Sequence, residues 1–258
     1  MSLHSVSLTT RDGVRLNALH SPPAPTVAGD VAVVVGHGFT GSTRKPAVRR
    51  LIEALSAHAG VVAVDFRGHG RSGGRSTLGD AEVLDIEAAV RWARSAGYAR
   101  VATVGASMGG SIVVRHAALF GGVDAVVSVS APSRWYIRDT VPMRRVHWLV
   151  ERRLDRVVSR TLLRIRLARG WETVPESPVE VVGRIAPTPL LIVHGDRDAF
   201  FTLEHPKALA EAAGGNAELW LVEGFGHAEA AMSSELADQV GRWVATSVAG
   251  NPSGTIAP

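Results

Sequence analysis

A serine stands between glycines at residues 105–109, within the stretch VATVGASMGGSIVV that spans residues 101–114. The pattern G-x-S-x-G between a strand and a helix is typical of a sharp turn that presents a serine hydroxyl as a nucleophile. A second match lies at residues 70–74, so the pattern alone does not decide between Ser107 and Ser72. Ser107 follows an apolar run and precedes a helical pattern, whereas Ser72 lies in a glycine-rich loop. This context favours Ser107 as the nucleophile.

A serine hydroxyl needs a base, and the base needs an orienting acid. We predict His227 as the base, because it lies in the glycine-rich stretch EGFGHAE directly after an apolar run. Asp196 and Asp198 both follow the apolar run LLIVHG and precede that histidine. Asp196 directly follows a glycine and can close the turn through its own backbone, which favours Asp198 as the acid. His37 and His69 also flank glycines, and we interpret them as residues that organise loops.

Hydrolysis of a carbonyl compound also needs hydrogen-bond donors for the oxyanion. The backbone N–H of Met108, at the start of the predicted helix after the serine, is one candidate. The second is expected from the loop after the first buried strand, in the stretch VVVGHGFTGS. Its glycines allow a close approach of the backbone, and we predict the N–H of Phe39 as the donor.

Strands and helices must alternate to bring these side chains together. Short apolar runs such as DVAVVVGHG, VVAVDF, RVATVG and TPLLIVHG predict buried strands, with helical patterns between most of them. Strands that alternate with helices predict an α/β fold with a mostly parallel central sheet, here of about eight strands, covered by helices on both faces. In such folds reactive groups lie at the carboxyl ends of the strands.

Residues 132–185 interrupt this alternation, and we predict that they form an inserted helical cap. The segment holds twelve arginines against six acidic residues. Between Val146 and Leu167, apolar residues recur at helical spacing, among them Val146, Val150, Leu154 and Val157. The predicted hydrolytic core comprises residues 1–131 and 186–249, and residues 250–258 form a flexible tail. We expect four aromatic side chains of the cap to line a substrate pocket: Trp135, Tyr136, Trp148 and Trp171.

Composition excludes several classes of function. The 258 residues contain no cysteine, so disulfides and thiolate metal sites are absent. We find no apolar signal segment and no run long enough for a membrane helix, and we expect a cytoplasmic protein without an integral membrane segment. The net charge is only +4, so the high isoelectric point reflects arginine usage and does not indicate nucleic-acid binding. No metal and no cofactor is implied, and the sequence does not indicate an oligomeric state.

Five short stretches of the sequence carry a resemblance to a known family: HGFTG, DFRGHGRSGG, GASMGG, HGDRD and GFGH. In these motifs and in their order along the chain, residues 3–131 and 186–249 resemble the α/β-hydrolase family. The resemblance implies the α/β-hydrolase fold, a catalytic triad of Ser107, Asp198 and His227, and an oxyanion hole formed by the N–H groups of Phe39 and Met108. In that family the acid usually corresponds to the second aspartate of a GDxD stretch.

The expected function is a serine hydrolase (a carboxylic ester hydrolase) that cleaves a small-molecule ester through an acyl-enzyme. Ser107 would attack, His227 would act as general base and then general acid, and Asp198 would orient the histidine. Alternatives on the same fold are a thioesterase, a lysophospholipase or monoacylglycerol lipase, a carbon–carbon bond hydrolase and an acyltransferase. A member of another class, a non-catalytic ligand-binding protein, would keep the fold and hold its ligand without turnover.

Overall fold

The described residues form a sheet of eight strands. The computed structural model describes residues 2–24, 29–151 and 164–250, and the backbone alone for residues 149–151. In chain order the strands are β1 (His4–Thr9), β2 (Arg15–Ser21), β3 (Val31–Gly36), β4 (Gly60–Val64), β5 (Arg100–Ala106), β6 (Ala125–Val129), β7 (Leu190–Gly195) and β8 (Ala217–Val222). Their order in the sheet is β1-β2-β4-β3-β5-β6-β7-β8. The β1–β2 and β2–β4 pairs are antiparallel, and every pair from β4 to β8 is parallel.

Helices cover both faces of this sheet. In chain order they are α1 (Pro46–Ser56), α2 (Val83–Ser95), α3 (Met108–Phe120), α4 (Val141–Glu151), α5 (Pro178–Val181), a 3₁₀ turn (Val182–Ile185), α6 (Glu204–Ala212), α7 (Ala228–Ala231) and α8 (Ser234–Gly250). Successive side chains of a strand point to opposite faces, so a strand buried on both sides reads as a continuous apolar run. Accordingly, Val34 of β3 packs into the core under α2 and α3. Its neighbours Val33 and Val35 pack into the core under α1 and α8.

The predicted α/β fold, with a mostly parallel sheet of eight strands between two layers of helices, is therefore confirmed. The loops that follow β3, β5, β7 and β8 all leave the sheet at the same edge, because these strands are parallel. In the described parts of the chain, no helix is long and apolar enough to cross a membrane.

Residues 132–185 leave the sheet after β6 and return to it before β7. The N–H of Val179 donates a hydrogen bond of 2.9 Å to the carbonyl of Ser133, so the two ends of the segment lie together. Of the residues in the predicted helical pattern, Val146 lies in α4, whereas Leu167 lies in non-helical chain and forms an isolated bridge with Ser76. Two further positions of that pattern, Leu154 and Val157, lie outside the described residues, as does most of the predicted tail, 251–258.

Candidate active site

Ser107 lies on the tight turn between β5 and α3. Its backbone has φ +54°, a left-handed conformation that is rare for residues other than glycine. Its N–H donates a hydrogen bond of 2.8 Å to the carbonyl of Val129, which ties the turn to the end of β6. A conformation of this kind costs about 1–3 kcal/mol and persists where the surrounding structure enforces it, commonly at functional sites.

Glycines on both sides of Ser107 allow the turn to form. A Cβ atom on Gly105 would lie 2.1 Å from the carbonyl oxygen of Gly109. A Cβ atom on Gly109 would lie 2.3 Å from the carbonyl oxygen of Gly36, at the end of β3. Both contacts are with backbone, which cannot rotate away. The helix that follows the serine therefore packs against β3 and β5 more closely than a side chain permits.

We expect the substitution Gly109→Ala to lower the free energy of unfolding by roughly 2–3 kcal/mol, because the added methyl group overpacks a backbone contact. A decrease in stability would be informative, since alanine at an ordinary helix position is about 1 kcal/mol more favourable than glycine. Urea unfolding followed by circular dichroism measures the change. Gly170→Ala is the matched control, since a Cβ atom there has no neighbour within 4 Å. Equal stability of the two variants would contradict this explanation of the turn.

The structure brings His227 and Asp198 into line with Ser107. His227 Nε2 lies 3.0 Å from Ser107 Oγ, and His227 Nδ1 lies 2.7 Å from Asp198 Oδ2. In a neutral imidazole this arrangement lets Nδ1–H donate to the carboxylate while Nε2 accepts from the serine hydroxyl. The distances fall within the range expected for a nucleophile, a base and an orienting acid.

Hydrogen bonds keep the Asp198 side chain, which is fully buried, in its ionised form. Burial acts to raise the pKa of Asp198, but the hydrogen bond and the charge interaction with His227 outweigh it. The N–H groups of Phe200 and Phe201 also donate to Oδ1, at 2.8 and 3.1 Å. The net result is a pKa of Asp198 below its ordinary value, so the carboxylate remains charged at neutral pH.

The neighbouring Asp196 makes no contact with His227 among those observed and connects two loops instead. It is exposed, and its Oδ1 accepts a hydrogen bond of 2.7 Å from the N–H of Gly224. This bond connects the loop after β7 with the loop after β8, which carries His227. Asp196 therefore closes a turn, as its position after a glycine suggests, although its partner is the next loop and not its own backbone.

Two histidines organise the loop after β3. His37 Nδ1 donates to the carbonyl of Gly38 at 2.8 Å, and its Nε2 accepts from the N–H of Phe66 at 3.2 Å. Burial lowers the pKa of His37 to about 4, which keeps the ring neutral and able to accept that bond. His69 Nε2 donates to the carbonyl of Phe39 at 2.7 Å. Both histidines thus fix the backbone from which Phe39 projects.

Phe39 and Met108 lie beside Ser107 in the wall of one cavity. The N–H of Met108 is at the first position of α3, where no intrahelical acceptor exists. The N–H of Phe39 donates to no group within the described part of the chain. These two predicted oxyanion donors are therefore available to a ligand. The second G-x-S-x-G serine is not, since the buried Ser72 donates to the carbonyl of Asp65 and accepts from the N–H of Asn17.

The cavity has a volume of about 400 Å³ and opens onto Ser107 and His227. Much of its wall comes from the 132–185 segment, including Met143 and Val146 of α4. Three of the four predicted aromatic residues line it, namely Trp135, Tyr136 and Trp171. Trp148 is not among the lining residues, and 55% of its surface is exposed.

Hydrogen bonds and ring contacts hold the aromatic wall in place. The indole N–H of Trp135 donates to the carbonyl of Pro175 at 2.7 Å, and that of Trp171 donates to the carbonyl of Thr77 at 2.6 Å. The two indole rings pack at a centroid distance of 5.4 Å. The guanidinium of Arg115 lies over the Trp135 ring, at 5.8 Å. This wall is thus a fixed apolar surface suited to an acyl chain or an aromatic ring.

Sequence reasoning missed Glu229, which also lines the cavity. Its Oε1 accepts a hydrogen bond of 3.0 Å from the N–H of Gly38, in the loop beside Ser107. A signal was present, since Glu229 follows His227 by two residues in the sequence. In the described ranges, no group of three or more histidine, aspartate or glutamate side chains is arranged to hold a metal ion.

Several solved structures share this fold. The esterase Pf2001 of Pyrococcus furiosus matches with 25% identity and a TM-score of 0.72, over 94% of this chain and 92% of that chain. Est1E of Butyrivibrio proteoclasticus, solved with ferulic acid bound, matches with 22% identity and a TM-score of 0.65, over 95% of this chain and 100% of that chain. XC6422 of Xanthomonas campestris, described as an α/β serine hydrolase without a lid, matches with 18% identity and a TM-score of 0.65, over 99% and 98%.

Among curated proteins no sequence matches this chain. A family model for the α/β hydrolase fold matches residues 31–160, which is just over half of the sequence. Its match includes β3, the serine turn and α3, the elements that position the candidate nucleophile. The chain belongs to the α/β hydrolase fold family.

Proposed function

We propose that this protein is a serine hydrolase that cleaves a carboxylic ester of small or medium size. The observation that carries the proposal is the hydrogen-bonded line from Ser107 through His227 to Asp198, at 3.0 and 2.7 Å, at the mouth of an apolar cavity. Membership of the α/β hydrolase family and the similarity to an esterase of Pyrococcus furiosus support hydrolysis in general.

In the proposed mechanism, Ser107 Oγ attacks the ester carbonyl carbon while His227 Nε2 takes the hydroxyl proton. The tetrahedral intermediate collapses when His227 returns that proton to the alcohol oxygen, and the acyl group stays on Ser107. Water then attacks the acyl-enzyme with the same histidine as base, and the carboxylic acid is released. Asp198 holds the histidine in the required tautomer and stabilises its charged form.

The oxyanion of each tetrahedral intermediate would be held by the N–H groups of Phe39 and Met108. Backbone donors of this kind are fixed before the reaction and need no reorganisation as charge develops. The bonds from His37 and His69 hold the Phe39 loop, and the packing of Gly109 on Gly36 holds the start of α3. Both donors therefore rest on rigid backbone.

The 132–185 segment would act as a cap over the acyl or aryl part of the substrate. Its aromatic residues Trp135, Tyr136 and Trp171 supply an apolar wall opposite the serine turn. A cavity of about 400 Å³ is within the usual size range for small-molecule sites. It favours short or medium acyl groups over the long chains of membrane lipids.

The experiment that tests the proposal is hydrolysis of p-nitrophenyl esters from acetate to palmitate by the purified protein. We expect Ser107-dependent release of p-nitrophenol with a maximum of kcat/KM at short or medium acyl chains. A fluorophosphonate probe that reacts with activated serines should label the wild type and not Ser107→Ala. Absence of both labelling and Ser107-dependent hydrolysis would contradict the proposal, and a maximum at palmitate would contradict the proposed substrate size.

A further inference from the structure

Glu229 occupies a place in the cavity that the hydrolytic mechanism does not use. It lies in the short helix α7, directly after His227, and its Oε1 accepts a hydrogen bond of 3.0 Å from the N–H of Gly38. A Cβ atom on Gly38 would lie 3.3 Å from Ser107 Cβ and 3.4 Å from Glu229 Oε2. The carboxyl group and the candidate nucleophile therefore flank the same small space.

The second carboxyl oxygen, Oε2, is buried and has no hydrogen-bond partner in the described ranges of the chain. A buried acceptor without a donor costs about 1–3 kcal/mol, and more where the group is charged. Glu229 lines the cavity, so a bound molecule that reaches Oε2 can supply the missing donor.

The charged side chains around the cavity indicate which kind of ligand group would pair with Glu229. Among its described lining residues Glu229 is the one acidic side chain, and the remainder of the wall is largely aliphatic and aromatic. The arginine in the wall, Arg134, is ion-paired with Asp139 at 2.8 Å. The charged group that this wall leaves without an ion-pair partner among the described residues is therefore an acceptor, the Glu229 carboxylate. An anionic acceptor repels an oxyanion formed near it unless a donor lies between them.

We infer that Glu229 determines specificity by binding a hydrogen-bond donor of the substrate, a hydroxyl or a protonated amine, placed close to the ester carbonyl. The inference rests on the proposed function and narrows its substrate class to esters that carry such a donor. An ester without the donor leaves Oε2 unpaired when it occupies the cavity. Sites built to pair with a polar group discriminate strongly against analogues that lack the group.

The test compares kcat/KM for matched esters. On the acyl side the pairs are phenyl 3-hydroxybutyrate and phenyl 3-aminobutyrate, each against phenyl butyrate. On the alcohol side the pair is 2-hydroxyethyl butyrate against propyl butyrate. We expect the wild type to prefer a donor-bearing member by about 10- to 100-fold, the range for a hydrogen bond to a charged group. The preferred pair identifies the donor and the side of the ester that carries it.

Glu229→Gln is expected to abolish this preference. The glutamine carbonyl would accept the Gly38 N–H bond, which leaves an NH₂ group facing the donor of the substrate. Glu223→Gln is the matched control, with the same change of charge at an exposed residue in the loop before His227. It is expected to keep the wild-type ratio. A wild-type ratio near one for every pair, or an unchanged ratio in Glu229→Gln, would overturn the inference while leaving ester hydrolysis in place.

A binding measurement separates this inference from the proposed function. If no ester is hydrolysed in a Ser107-dependent way, the proposed function fails. Calorimetry of the matched amides, 3-hydroxybutyranilide, 3-aminobutyranilide and butyranilide, with the Ser107→Ala variant still tests the acyl-side donor. Tighter binding of a donor-bearing amide, lost in Ser107→Ala with Glu229→Gln, supports the inference. Equal binding of all three would count against it.

Discussion

Replacing Ser107 with alanine is expected to lower kcat for an ester substrate by about 10⁴-fold or more, the usual loss when a triad nucleophile is removed. In the proposed mechanism the hydroxyl oxygen of Ser107 forms the acyl-enzyme, and the variant has no side-chain oxygen to take its place. The proposed oxyanion donors and the cavity remain in this variant, so a small residual rate above the uncatalysed reaction is expected. Steady-state hydrolysis at high enzyme concentration measures the difference.

The second G-x-S-x-G serine offers a control for this experiment. Ser72→Ala removes a buried hydroxyl that bonds to Asp65 and Asn17, so we expect a loss of about 1–3 kcal/mol in the free energy of unfolding. Its kcat is expected to stay within a few-fold of the wild type at a temperature where the protein is folded. Near-wild-type turnover of Ser107→Ala would remove this serine from the mechanism, and a large loss of kcat in folded Ser72→Ala would point to the other motif.

The second large effect is expected from Asp198→Asn, with a loss of about 10⁴-fold in kcat. Asparagine keeps the size of the side chain, but its NH₂ group would donate to His227 Nδ1. The ring would then carry its proton on Nε2, the atom that accepts the proton of Ser107 in the proposed mechanism. The N–H groups of Phe200 and Phe201 that bond to Oδ1 would hold the asparagine carbonyl there, which favours this orientation.

Asp196→Asn is the isosteric control. Its carbonyl oxygen can still accept from the N–H of Gly224, so kcat should change little. Both variants are compared with the wild type by kcat and by thermal unfolding, which separates a loss of catalysis from a loss of structure. If Asp196→Asn lost more activity than Asp198→Asn, the roles that we assign to the two carboxylates would be reversed.

The fold could be predicted from the sequence because each strand, helix and turn is encoded by a short continuous stretch of residues. Continuous valine runs mark the strands that are buried on both faces, and the pattern around Ser107 marks the turn between a strand and a helix. The position of a residue after a strand is also a local property, and parallel strands bring such positions to one edge. This is why chain order and strand ends were enough to select Ser107, Asp198 and His227 as the residues to test.

The cavity wall was harder to predict, because it is formed by contacts between distant segments. Glu229 accepts a hydrogen bond from a loop that lies 191 residues earlier in the chain, and the sequence of neither segment predicts this contact.

The position of Trp148 could not be predicted for a different reason. It belongs to α4, whose Met143 and Val146 face the cavity. At about 100° per residue, a position two beyond Val146 points to the opposite side of the helix. The sequence shows that residue 148 is aromatic, but the orientation of α4 determines which face of the helix lines the cavity.

The bond between the Val179 N–H and the Ser133 carbonyl bears on how this protein can diversify. A segment whose two ends adjoin can be lengthened, shortened or exchanged without pulling β6 and β7 apart, since the distance between its ends is already fixed. The strand ends that carry the candidate catalytic residues would keep their positions through such an exchange. The part of the cavity wall that this segment supplies can therefore change, by evolution or by engineering, while the candidate catalytic residues and Glu229 stay in place.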